Sequence, residues 1–240
     1  MTTKRRIGLP VLGVVLLAVG LLAVFARPLW NPYYVRLTGG RSVQDVINQY
    51  GPDAKARLRP HFEAAGVAYP PSALALIGLK EEKQLELWAY EADHDWTLIH
   101  TYPVLAASGV AGPKLREGDR QVPEGVYKIE GLNPNSSYHL SMKVDYPNAF
   151  DLKQAEADGR DQPGTNIFIH GKAASIGCLA IGDPAIEELF VLVAAVGKDN
   201  VEVILLPHDP DTKPLTPSKN MPAWTEALYE LLQQAVADFR

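Results

Sequence analysis

From Ile7 to Ala26 the chain carries no charged residue and is rich in Leu, Val and Ala, directly behind the basic cluster Lys4, Arg5 and Arg6. A helix that spans a bilayer needs about 20 apolar residues, whereas a cleaved export signal has an apolar region of about 7–15. The length therefore favours an uncleaved membrane anchor. Val24-Phe25-Ala26 is an imperfect small-x-small site and keeps the cleaved signal as the alternative. Under either reading the basic residues stay in the cytoplasm and everything after Arg27 lies outside, so the protein is expected to face the periplasm. Attachment through a lipidated cysteine is excluded, because no Cys stands just after the apolar run.

The rest of the chain must fold without a covalent staple. Cys178 is its one cysteine, so an exported domain cannot close an internal disulfide and must rely on a hydrophobic core. With 47% apolar and 21% charged residues over 240 positions there is enough material for one such core. The net charge of -5 argues against a nucleic-acid partner, which would demand a concentrated basic face.

Periodicity divides the chain into 1–27, the anchor or signal; 28–72, a linker and small helical lobe; 73–210, the main domain; and 211–240, a helical tail. Ser42 and Asp45 stand three apart, as in a helix capping box, before Val43, Val46 and Ile47 at helical spacing. Gly51-Pro52 predicts a break, with a second helix ending near Gly66. Leu85, Leu87 and Ala89 then alternate with Glu86, Trp88 and Tyr90 as a strand does. Further strands are expected over 96–104, 126–132, 138–144, 166–170 and 201–206. Asp183-Pro184 predicts the start of a helix reaching Val196, and a last helix is expected over 223–238. The fold class is mainly β with flanking helices, as a mixed sandwich or barrel.

A lone thiol in an oxidising compartment is a liability, and its presence points either to a small buried hydrophobe or to a nucleophile. The residues around it favour the nucleophile. In the strand ending at His170, Phe168 and His170 share one face, so the imidazole emerges beside the glycine-bracketed loop that carries Cys178. A base at that position activates the thiol. Gly171 and Gly177 let backbone amides turn toward a developing oxyanion, and Ser175 is expected to order the loop.

His170-Gly171 followed by Ser175-Ile176-Gly177-Cys178 and by Asp183 resembles the active-site signature of the YkuD L,D-transpeptidases. More narrowly it is similar to the YafK-like branch, which Ser108-Gly109, Gly112-Pro113-Lys114, 117–125, 133–136 and 146–151 also match. The likeness runs from about Leu74 to Pro207. It implies a YkuD-like fold and a cysteine enzyme of peptidoglycan metabolism, with stem peptides as partners and no cofactor or metal. Cys178 would form a thioester at the diamino-acid carbonyl with His170 as base, and the amides of Gly177 and Cys178 would hold the oxyanion. An amine acceptor then gives transfer and water gives hydrolysis. The pattern departs from the family at Ile176, where a second His is usual, and at Ala180, where an Arg is common. Lys114 and Arg120 are candidate contacts for an acidic stem peptide, and His139 for the cleft. A silent wall-binding module that merely retains the fold is the competing class.

Overall fold

The computed structural model describes residues 13–14, 26–91, 94–175 and 177–239. The chain divides into two compact units, Met1–Gly40 and Arg41–Arg240. In the first, α1 (Arg27–Thr38) is a helix where the prolines at 28 and 32 suggested an irregular linker, and Pro28 sits in its first turn, where a missing N–H costs nothing. No helix among the described residues is long and apolar enough to cross a membrane, and most of the 7–26 run lies outside those residues.

In the second unit Ser42 accepts a hydrogen bond from the Asp45 amide while Asp45 accepts one from that of Ser42, which starts α2 (Val43–Ala65). This helix runs unbroken through Gly51-Pro52, contrary to the expected break, and contains Pro60 as well. Its face of Val46, Leu58 and Phe62 is buried in the main core, and that burial outweighs the backbone hydrogen bonds the prolines remove. It packs on α4 (Asp183–Val196), where Arg57 bridges Glu187 and Glu188.

The strands are β1 (Ala73–Leu79), β2 (Gln84–Glu91), β3 (His94–Pro103), β4 (Gly125–Asn133), β5 (Ser141–Val144), β6 (Phe168–His170), β7 (Leu179–Ala180) and β8 (Val201–Leu206). They form one sheet in the order β3-β2-β1-β8-β4-β5-β6-β7. The segment leaving β3 returns to the far edge. The Leu105 amide donates to the Ala180 carbonyl at 2.8 Å and the Ala180 amide donates to that of Ala106 at 3.0 Å, which draws the sheet toward a barrel.

Side-chain alternation assigns the two faces. Leu74 and Leu76 of β1, with Val201, Val203 and Leu205 of β8, join the core under α2 and α4. Ala75, Ile77, Leu79, Ile204 and Leu206 join a second core under α5 (Thr225–Ala235). Because both faces are covered, β1 reads as an unbroken apolar run and carries no alternation to find. The strand expected over 138–144 begins only at Ser141, because His139 takes a left-handed backbone (φ 77°). The 146–151 motif starts α3 (Ala149–Ala157), capped by Asn148 and Asp151.

Between β3 and β4 a long loop, 104–124, is held down by one buried ion pair. Lys80 Nζ donates to the carbonyls of Gly112 and Val122 and to Glu124 Oε1, each at 2.9 Å, and Glu124 Oε1 also accepts the Gly112 amide at 2.7 Å. The two side chains are 8% and 0% exposed. Removing one partner strands a charge in the interior, so Lys80→Met should cost about 3–5 kcal/mol in urea unfolding. The double variant Lys80→Met/Glu124→Leu should recover much of that loss. A single variant no less stable than the double would show that the pair does not hold the loop.

Candidate active site

The parallel pairing of β6 with β7 sets Ile169 against Leu179 and His170 against Ala180. Continuing that register back by one residue brings Cys178 level with Phe168. Phe168 and His170 share a face, so Cys178 and His170 lie on the same face as diagonal neighbours, a separation of about 7–8 Å between backbones that long side chains span. Sequence spacing alone puts the two in one strand-and-loop segment; the register, extended to Cys178, puts them on one face.

His170 is 3% exposed, and its ring lies 4.7 Å from that of Tyr138. Its Nδ1 sits 2.6 Å from the Gly171 carbonyl oxygen. A carbonyl only accepts, so Nδ1 carries the proton and Nε2 of the neutral ring is the basic atom. Burial is the main influence on the ring and pushes its pKa below the ordinary imidazole value. Half-buried Cys178 directs its thiol toward the Asn166 carbonyl at 3.7 Å. Burial raises the thiol pKa, and the Phe168 amide and the Lys114 ammonium oppose it more weakly. The resting pair is therefore neutral thiol and neutral imidazole, not the preformed thiolate that a nearby base would suggest.

The two amides expected to hold an oxyanion are occupied. The Gly177 amide donates to Ser108 Oγ at 2.7 Å, and Ser108 Oγ donates to the Arg120 carbonyl at 2.6 Å. The Cys178 amide donates to Ser175 Oγ at 2.9 Å, while Ser175 Oγ donates back to the Cys178 carbonyl at 2.6 Å. An oxyanion at either amide displaces a serine hydroxyl. The Gly171 amide is committed to the Leu140 carbonyl, and its residue is small for reasons of packing. A Cβ there would stand 2.6 Å from Asp183 Oδ1 and 2.7 Å from the Tyr138 carbonyl. Gly177, by contrast, needs its backbone freedom, with φ 91°.

The remaining candidates separate. Lys114 is buried, and its ammonium donates to Asp119 Oδ1 at 2.5 Å and to the Arg116 carbonyl at 2.9 Å, so it influences the thiol at a distance and is not a free contact. His139 turns its Nε2 to Glu187 Oε1 at 2.8 Å and its ring to Tyr50, which ties it to α4 and α2. Arg120 is exposed, with a left-handed backbone (φ 58°), and its Cα lies against Gly177. Of the acidic residues near Arg160, Asp158 pairs with it and Asp151 caps α3, as a structural surface would. No group of three or more His, Cys, Asp or Glu among the described residues could hold a metal ion.

Ser108 and Tyr138 were missed as site residues, although Ser108-Gly109 had stood out as a motif. Backbone strain is the other signal. Of the five non-glycine residues with positive φ among those described, Arg120, His139, Asn166 and Lys172 adjoin Gly177, Gly171, the thiol and Asp183 respectively. Such conformations gather at functional sites.

Residues 76–203 match the model of the YkuD L,D-transpeptidase catalytic domain. The chain belongs to the YkuD family. Over 133 residues it is 35% identical to YafK of Escherichia coli K12, itself described only provisionally as an L,D-transpeptidase; the match covers 53% of this chain and 51% of YafK. The chain thus spans about half the length of the curated relatives it matches. Among solved structures it resembles the helical cell-shape-determining protein Pgp2 of Campylobacter jejuni (TM-score 0.47, 23% identity, covering 59% of this chain and 49% of that one). It also resembles L,D-transpeptidase 1 of Mycobacterium tuberculosis (TM-score 0.33, 12% identity, covering 56% and 62%). Within the YkuD match, Ala180 is fully buried and level with His170. Ile176 lies outside the described residues.

Proposed function

We propose that this YkuD domain acts on peptidoglycan stem peptides through a thioester on Cys178. The supporting observation is the parallel register that pairs His170 with Ala180, two residues after Cys178, together with the unprotonated Nε2 of His170. Sγ attacks the carbonyl of the L-centre of the diamino acid as its proton passes to Nε2. The imidazolium then returns that proton to the departing amine. An incoming amine or water, deprotonated by the same nitrogen, releases the acyl group and restores the thiol.

Cys178→Ala and His170→Ala should each abolish turnover with the fold intact. The acid limb of kcat/KM should fall below the ordinary imidazole value of about 6.5, because burial depresses the pKa of the base, which must be neutral to act. A preformed thiolate–imidazolium pair would instead lose activity on the alkaline side, as the imidazolium deprotonates. The raised resting pKa of the thiol is the observation on the side of a silent wall-binding module. A carbapenem decides between the two: an enzyme gains its mass on Cys178 and not in Cys178→Ser, and a protein that never gains it is the silent module.

Water has the advantage as second nucleophile. Ile176 and Ala180 replace polar groups of the family pattern, and an amine must be bound and oriented whereas water is abundant. With a stem peptide and excess amine, hydrolysed product should be at least comparable to exchanged product by mass spectrometry. Overwhelming exchange would contradict this. Restoring Ala180→Arg is no test, since it would bury a guanidinium beside His170.

The substrate and the 4–26 segment together support a domain held at the outer face of the cytoplasmic membrane, or released into the periplasm if the segment is cleaved. A reporter fused after Arg240 should be active only outside the cytoplasm, and activity inside would overturn this placement.

A further inference from the structure

We propose that Arg120 is the specificity-determining residue of the site, binding the free carboxylate of the residue that leaves when the stem peptide is cut. This rests on the reaction proposed above. The bond attacked joins an L-centre to a terminal residue, so the leaving residue brings a carboxylate close to the sulfur. A buried thiol site has to meet that charge with a cation, and a planar guanidinium fits a carboxylate with two parallel hydrogen bonds.

Three other nearby cations are spent, which leaves Arg120 and the exposed Arg116 of the same loop. Lys114 is paired with Asp119, Lys172 with Asp183 and Arg160 with Asp158. Position 180, fully buried and level with His170, holds an alanine. Arg120 is exposed, and no side-chain partner of its guanidinium is found among the described residues.

Its backbone is fixed from several directions. Ser108 Oγ donates to its carbonyl, the Cα packs against Gly177, and the next amide, that of Gln121, donates to Asp119 Oδ1. Gln121 is itself tied to the Val110 and Gly112 carbonyls through its side-chain amide. A non-glycine residue in a left-handed conformation, pinned on both sides and ending in an unpaired charge, marks an imposed geometry.

The adjacent carboxylate does not compete for the guanidinium. Asp119 Oδ1 accepts from Lys114 Nζ and the Gln121 amide, and Oδ2 accepts from the amides of Leu115 and Arg116.

The test is calorimetric binding of two peptides to the full-length Cys178→Ala protein: a stem tetrapeptide with a free C-terminal carboxylate, and the same peptide as its C-terminal amide. With Arg120 present the acid should bind about tenfold or more tightly than the amide. Arg120→Asn tolerates the left-handed backbone, so its unfolding midpoint should hold while the acid-to-amide ratio collapses toward one. Arg120→Lys should fall between. An unchanged ratio in Arg120→Asn, equal weakening of both peptides, or no binding of the acid peptide at all overturns the proposal. Arg120-dependent binding without cleavage by the wild type would remove the proposed reaction and leave Arg120 in place. Equal cleavage of acid and amide would do the reverse.

Discussion

The Lys80–Glu124 ion pair is the interaction on which the site depends. Lys80 immediately follows β1 and Glu124 immediately precedes β4, so the pair fixes the middle of the 104–124 loop, at Gly112, and its C-terminal end, at Val122 and Glu124, against the sheet. Its three donor hydrogens are all used, two of them on carbonyls of the loop itself. A buried pair of this kind is poor evidence for net stability, since each charge has lost its water. What it fixes is position. From that anchorage the loop delivers Ser108 to the Gly177 amide and sets Arg120 beside it.

A second constraint is the dryness around Cys178 and His170. Burial raises the pKa of the thiol and lowers that of the imidazole, and both shifts favour the uncharged pair. A neutral thiol is protected from the oxidation and mixed disulfides that a standing thiolate invites. The serine hydroxyls on the amides of Gly177 and Cys178 extend the same logic, because they satisfy donors that burial would otherwise leave unpaired.

Legibility in the sequence followed the range of the forces involved. The capping box at Ser42, the helix start at Asp183-Pro184 and strand β2 are local and are found where the residues indicate, although Gly182 rather than Asp183 is the N-cap of α4 and both faces of β2 are buried. The unbroken α2 was not legible, because Gly51-Pro52 is a strong local breaker and what overrides it is burial against α4, a partner far along the chain. β1 was hidden by being apolar on both faces, and β7 by being two residues long. The early end of the strand expected at 138 traces to the left-handed backbone of His139.

By itself, the sequence determined the family, because the signature that carries the resemblance is a short-range pattern around Cys178. It could not determine which charges are free. Lys114 and Arg120 are equivalent in composition and lie six positions apart, yet one is buried against Asp119 and the other is exposed beside Gly177. Only the tertiary structure decided between them, because the fate of a charge depends on which distant groups the folded chain brings within hydrogen-bond distance.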